Sequence, residues 1–346
     1  MRKENAKYIL GIESSCDETS ASVVTNDRQI LSNVVLSQTK HFEYGGVVPE
    51  LAARAHLQSI DSIILEAMHQ AKLDFNDLDG IAATAGPGLI GGVIIGTMAA
   101  KAIALSLQKP YFAINHLEAH ALTARLTDNL PFPYLLLLVS GGHCQLLIVK
   151  DVGSYEKLGT TIDDAIGEAF DKTGRLLGFS YPAGPMIERT AKSGNPHSYT
   201  LPKPLYGKPG CDFSFSGLKT AVRKVIEDNA DKAQDDQFKA DLCASFQYTI
   251  GEILKNRLKN GLTQFKNQYP EAKHFVLAGG VAANQYLRDI LQTTCTNHSL
   301  ELIAPPVSLC TDNAAMIAWV GQEKLRLNQP SPLNFAPRPR WPLDEL

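Results

Sequence analysis

This chain states one succession of elements twice. Residues 8–25 (YILGIESSCDETSASVVT) read as an apolar strand, a tight polar turn and a second strand rich in Ser, Thr and Val. Residues 133–150 (PYLLLLVSGGHCQLLIVK) repeat the plan around Ser-Gly-Gly-His. Small turn residues between alternating runs mark β-hairpins. A second strand follows each turn where a dinucleotide-binding fold needs a helix, so a Rossmann start is excluded. An amphipathic helix comes next in each half. Over residues 51–71, Leu57, Ile60, Ile63, Ile64, Ala67, Met68 and Ala71 share a face; over 238–265, Leu242, Phe246, Ile250, Ile253, Leu254 and Leu258 do. A short strand, a glycine loop and a helix complete each half, at residues 79–92 (DGIAATAGPGLIGG) and 274–288 (HFVLAGGVAANQYLR). The expected architecture is two similar α/β lobes facing each other. Glycine turns, with backbone N–H groups suited to phosphate, would line the cleft between them.

A length of 346 residues accommodates two such lobes. Residues 1–130 are assigned to the first and 131–317 to the second, with the C-terminal helix and tail, 318–346, packing back on the first. The repeat does not explain residues 151–240, read as a substrate-facing insertion with a helical stretch near 163–177. The tail from Gln329 carries five prolines. It can be neither helix nor central strand and is expected to lie extended over the surface.

Charge and cysteine usage narrow the function. A net charge of -3 excludes a globally basic nucleic-acid coat protein. A local patch remains open, with Lys203, Lys208, Lys219, Arg223, Lys224, Arg338 and Arg340 as candidates beside the reading of an ordinary solvated face. Six cysteines without a CxxC indicate neither a zinc ribbon nor a disulfide framework, and the expected compartment is the cytoplasm. The apolar run before Glu13 is too short for a signal peptide. Residues 88–107 have the length and composition of a membrane span, but Lys101 lies well inside them. A buried helix packed closely on a sheet accounts better for the small residues.

Several constellations carry chemistry. In NHLEAH (Asn115–His120), the two histidines are four apart and share a helical face that can hold a metal. The bland alternative is a pair of surface histidines. Glu118 lies ~200° round the helix from His116, so the pattern lacks the general base of a zinc protease. Asp312, in CTDNAA, is the best third ligand, although a helix N-cap explains it equally well. Two histidines and a carboxylate suit iron or zinc. The turn Val139, Ser140, Gly141, Gly142, His143 lets backbone approach a phosphate, or is a plain hairpin turn. The first-lobe counterpart crowds Glu13, Asp17 and Glu18 into a small turn, which suits an active-site rim. Glu13 or Asp17 is the candidate base or orienter. Asn284, behind Gly279-Gly280, can bond ribose or base. Asp164, Glu168, Asp171 and Lys172 fall near one helical face, solvated or functional, with Asp171 closest to the glycines that follow.

Taken together, GIESSCDETS, HLEAH, LLVSGGH, IDDAIGEAFDK, YPAGP, FSFSGLKTA, GGVAAN, CTDNAAMIA and PRWPLD resemble the tRNA N6-adenosine threonylcarbamoyltransferase family. The resemblance runs from about Ile9 to Leu343 and is closest to the bacterial or organellar branch. It implies the actin/Hsp70/sugar-kinase (ASKHA) superfold, an α/β fold of two ribonuclease-H-like lobes with a central cleft. The implied reaction moves a threonylcarbamoyl group from threonylcarbamoyl-AMP to N6 of the adenosine next to the anticodon, in tRNAs reading codons that begin with A. The resemblance gives the metal, iron or zinc, to His116, His120 and Asp312. It gives substrate binding to Val139–His143, Asp171, Gly184, Glu188 and Asn284; Glu188 stands where relatives often carry Asp. It also implies two protein partners, a smaller paralogue of the same fold and a P-loop ATPase. A small-molecule kinase of the same superfold is the alternative, with a metalloprotease and a non-catalytic nucleotide-binding subunit behind it.

Overall fold

The computed structural model describes residues 5–38, 41 and 46–346. Residues 1–4, the start of the stretch considered above as a signal peptide, lie outside them. The contacts divide the chain into two compact units. One comprises Met1–Leu130, Val152–Ser154 and Thr311–Leu346, the other Pro131–Asp151 and Tyr155–Cys310. The chain thus returns to its first unit at 311 rather than 318, and Asp312 joins the same unit as the two histidines.

In the first unit, β1 (Tyr8–Glu13), β2 (Glu18–Thr25) and β3 (Ile30–Ser37) form an antiparallel meander. Helix α1 (Pro49–Ala71) leads to β4 (Gly80–Gly86), α2 (Ile90–Leu107), β5 (Tyr111–Asn115) and α3 (His116–Asp128). The strand order is β3-β2-β1-β4-β5, with β4 and β5 parallel to β1. The second unit holds β6 (Tyr134–Val139), β7 (Cys144–Asp151) and β8 (Ser154–Thr160), then α4 (Ile166–Leu176), α5 (Gly184–Ala191), α6 (Ser216–Asp228), α7 (Asp236–Gln268), β9 (His274–Ala278), α8 (Gln285–Thr296) and β10 (Glu301–Ile303). Its order is β10-β9-β6-β7-β8, the same topology. The repeat read from the sequence is therefore a repeat of sheet topology. It corrects one reading: the segment 151–240 is not all insertion, because β8 is the third meander strand, the counterpart of β3.

Strands β1, β4 and β6 are buried on both faces, as parallel-containing sheets covered by helices require. Helix α9 (Ala314–Arg326) packs on the first sheet across β1, β2 and β4, and Gly11 sets how close it comes. A Cβ at Gly11 would stand 2.4 Å from the Ala314 carbonyl oxygen and 2.5 Å from the Ala318 nitrogen. Helix α2 also approaches closely, through Gly92 and Gly96 beside Ser14, with Val93, Thr97, Ala100 and Ala104 buried on the same side. Its outer side exposes Ile90, Ile94, Met98 and Leu105 in one stripe. Although α2 is long and apolar enough to cross a membrane, its small residues pack against protein.

The tail differs from expectation. It is extended, but inlaid. Trp341 and Leu343 are buried, Arg338 N–H donates to Ala85 O at 2.7 Å, and Gly88 N–H donates to Pro339 O at 3.2 Å. The Arg338 guanidinium covers the rings of Phe335 and Trp341, 5.0 and 5.1 Å from their centroids, which weighs against its place in an open basic patch.

Candidate metal centre and phosphate turn

Strand β5 runs into α3 without a loop, so His116 opens the helix and His120 stands one turn on. Asn115 caps it: its Oδ1 accepts the N–H groups of Leu117 at 2.9 Å and Glu118 at 3.3 Å. The Asn115 amide in turn donates to Trp341 O at 2.8 Å, tying the tail to the helix that carries both histidines.

Asp312 Oδ1 faces both imidazoles, 3.1 Å from His120 Nε2 and 3.4 Å from His116 Nε2. The capping explanation for Asp312 fails, because Asn313 caps α9 by accepting Met316 N–H at 3.1 Å. All three candidate ligand atoms lie within 4.8 Å of one another. Donors bound tetrahedrally at about 2.0–2.1 Å stand roughly 3.3 Å apart. The set therefore needs little adjustment to take a metal ion. Behind it, His116 Nδ1 is 2.9 Å from Glu13 Oε2. A carboxylate on the far nitrogen, leaving Nε2 for the ion, is how metal-binding histidines are commonly oriented. Glu13 is fully buried; it also accepts Ser15 N–H at 2.6 Å and the Thr84 hydroxyl.

The electrostatics favour a cation here. Burial opposes the charges on Asp312 and Glu13, yet His116 for both, joined by His120 at Asp312, overrides it and holds both carboxyls below their usual range. Burial likewise opposes charge on His116, and Asp312 and Glu13 override it, holding its imidazolium well above the ordinary value. Glu18 shows the residual field. Burial first, then the negative charges of Asp312 and Asp17, push it up to about 9. Glu118 takes no part in this set: it accepts Gly153 N–H at 2.9 Å and pairs with Lys324 at 3.2 Å. Sequence reasoning passed over Ser15, whose Oγ is 3.2 Å from His116 Nδ1, and Thr84. Nothing in their local sequence signals either contact, which sheet pairing creates.

In the second unit, the turn after β6 and the glycines after β9 adjoin at the carboxyl ends of two parallel strands, a common ligand position in α/β sheets. Gly279 makes this contact possible, with φ +92° and a Cβ position 2.4 Å from Val139 O. Ser140 N–H donates to His143 O at 2.8 Å, and His143 N–H to Ser140 Oγ at 3.2 Å. These bonds leave Gly141 and Gly142 exposed at the tip with open space at each Cβ position, while Gly167 packs against the Gly141 backbone from behind. Asp171 accepts Ala183 N–H at 2.7 Å, just before Gly184 opens α5; burial pushes its carboxyl up despite that bond. Lys172 bridges Asp164 and Glu168 instead, at 2.8 and 2.7 Å.

Asn284 and Glu188 meet at the start of α8. Asn284 Oδ1 caps Leu287 N–H, its amide donates to Gln247 at 2.9 Å, and Glu188 accepts Gln285 N–H at 2.9 Å. The sequence reading gave Asn284 to ribose or base; in the structure its side chain caps α8 and bonds Gln247 of α7.

The doubled strand order defines an ASKHA-type protein, and solved structures agree on the fold. T. kodakarensis HypF matches with TM-score 0.60 at 14% identity, over 93% of this chain and 48% of that one. Component A of the Acidaminococcus fermentans (R)-2-hydroxyglutaryl-CoA dehydratase matches with TM-score 0.54 at 16% identity, over 92% of this chain and 99% of that one. Sequence relatives go further. The family model described as tRNA N6-adenosine threonylcarbamoyltransferase matches residues 29–319. Proteins of that name from Brucella anthropi and Paramagnetospirillum magneticum are each 57% identical to this chain. The alignments cover 97% of this chain in both cases, and 95% and 97% of the respective relatives. The chain belongs to the tRNA N6-adenosine threonylcarbamoyltransferase family.

Proposed function

We propose that this chain transfers a threonylcarbamoyl group from threonylcarbamoyl-AMP to N6 of the adenosine next to the anticodon, in tRNAs reading codons that begin with A. The observation that carries the reading is the convergence of His116, His120 and Asp312, backed by Glu13, in a chain of this family. In the reaction, N6 forms a bond to the carbamoyl carbon, the anhydride C–O bond breaks, and AMP leaves with the electron pair. N6 is a weak nucleophile because its lone pair is delocalised into the ring. Positioning therefore does most of the work, and proximity supplies up to roughly 7–11 kcal/mol.

His116, His120 and Asp312 would hold an iron or zinc ion, which would supply Lewis-acid polarisation of a carbonyl when bound. Glu13 keeps the His116 ring aimed, a positioning role that fits its three hydrogen-bond donors better than proton transfer does. Asp17, half-buried in the turn between β1 and β2, is the carboxylate that accepts the N6 proton. The exposed backbone of Gly141 and Gly142 serves the phosphate, and Asp171, Gly184, Glu188 and Asn284 shape the second unit's substrate surface.

The partners follow from the same reading. The stripe Ile90, Ile94, Met98 and Leu105, with Met98 58% and Leu105 65% exposed, suits docking of the smaller paralogue. A P-loop ATPase completes the set. Six free cysteines, five of them buried, fit a cytoplasmic location. The test supplies tRNA, labelled threonine, bicarbonate, ATP, the intermediate-forming enzyme and both partners. Label in tRNA that depends on this chain supports the reading. Label absent from tRNA in the complete mixture sinks it.

A further inference from the structure

One exposed loop of the second unit is held far more firmly than its surroundings require. Residues 199–212 (YTLPKPLYGKPGCD) contain three prolines and no carboxylate before Asp212. Leu205, Gly207 and Gly210 all take positive φ, at 59°, 74° and 83°. For Leu205 that conformation costs about 1–2 kcal/mol. The clamp comes from α7. Arg257, only 1% exposed, donates to Lys208 O at 2.8 Å and Gly210 O at 3.2 Å. Asn260 donates to the same two carbonyls at 3.2 and 2.7 Å, and Asn256 Oδ1 accepts Gly207 N–H at 3.0 Å. Among the described residues Arg257 forms no ion pair; loop carbonyls and Asn256 Oδ1 accept its N–H groups, and the Asp212 charge adds favourably.

What the clamp presents is cationic and aromatic. Tyr206 is 47% exposed. Lys203 Nζ sits 5.6 Å from the Tyr206 ring centroid and 4.9 Å from that of Tyr248, and His197 meets Tyr248 edge-on at 4.8 Å. Neither Lys203 nor Lys208 forms an ion pair among the described residues. The neighbouring carboxylates are already engaged: Asp212, Asp235 and Asp241 accept the backbone N–H groups of Thr160, Phe238 and Asn195.

We propose that this clamped loop is an RNA-contact platform, on which Lys203 and Lys208 meet tRNA phosphates and the Tyr206 ring stacks an unpaired base. Two unpaired cations flanking an exposed ring complement a polyanion carrying free π-faces. A protein partner would call for apolar anchors, and beside Tyr206 the exposed loop offers Lys, Pro and Gly. The inference rests on the transfer reading and names the surface that holds its macromolecular substrate.

The test measures the dissociation constant of an unmodified tRNA transcript for the full-length, metal-loaded chain with its partners, between 50 and 200 mM salt. Tyr206→Ala is expected to weaken binding about tenfold, with Tyr206→Phe restoring it. The double variant Lys203→Gln/Lys208→Gln is expected to lower the slope of log Kd against log salt by about 1.5. Metal content and partner assembly stay at wild-type values. Unchanged tRNA affinity and slope in both variants overturn the platform while leaving the transferase reading intact, as does loss of partner assembly with tRNA binding unchanged. A wild-type complex that binds no tRNA overturns both.

Discussion

At the scale of single residues, the site is a contest between burial and charge. Glu13 is the residue on which the His116 orientation turns. Replacing it with Ala removes the acceptor for His116 Nδ1, Ser15 N–H and the Thr84 hydroxyl at once. Removal of such an outer carboxylate typically costs 10–100-fold in metal affinity. Glu13→Ala should therefore lose zinc to a competing chelator at 10- to 100-fold lower chelator activity than wild type. Wild-type affinity in the variant would remove Glu13 from the account.

Glu18 gives a pH signature. Its folded pKa of about 9 exceeds the ordinary carboxylate value, so the folded state binds more protons between those limits and stability falls as pH rises through them. From pH 7 to 9 Glu18 should cost the metal-free protein at most about 1.4 kcal/mol of stability per pH unit, beside the loss that the raised His116 brings. Substituting Glu18→Gln should make the slope shallower by the Glu18 share, as read by calorimetry. An equally steep slope in the variant would place the titration elsewhere.

At the scale of elements, the inlaid tail bears on α3, the helix of the histidine pair. Trp341 donates nothing to the site chemically, but its carbonyl holds the Asn115 amide, whose oxygen caps α3. Trp341→Ala empties a buried position beside Phe335 and should destabilise the first unit by about 3–5 kcal/mol. Asn115→Ala loses the cap, about 1 kcal/mol. It should shift the visible spectrum of the cobalt-loaded protein, because His116 is the first residue of that helix. An unaltered spectrum would mean the cap does not set ligand geometry.

These elements also show what could be read in the sequence. The hairpins were legible because polar turns interrupt apolar runs at Glu13 and Val139, and the histidine pair because helical spacing alone puts His116 and His120 on one face. The return of 311–317 to the first unit was not legible. It depends on Gly11 admitting α9 against β1, a contact across some three hundred positions. Asn313 rather than Asp312 takes the cap, and two adjacent residues competent for that role cannot be told apart without coordinates.

At the scale of the whole molecule, the same five-strand order occurs twice, and each copy carries a different set of candidate site residues. The first holds the histidines and carboxylates; the second holds the glycine turn and the clamped loop. The exposed outer stripe of α2 is the docking face proposed for the smaller paralogue. Met98→Asp should weaken association with the smaller paralogue by at least tenfold in analytical ultracentrifugation, with metal content unchanged. Unchanged association would put the docking face elsewhere.

The most direct measurement is single-turnover transfer from pre-formed threonylcarbamoyl-AMP to tRNA, with wild type compared against His116→Ala, His120→Ala and Asp312→Ala, each assayed with its partners and for bound metal. The account predicts modified adenosine with wild type, and for each variant a loss of metal and of at least a hundredfold in rate. Transfer at the wild-type rate by variants stripped of metal would contradict it.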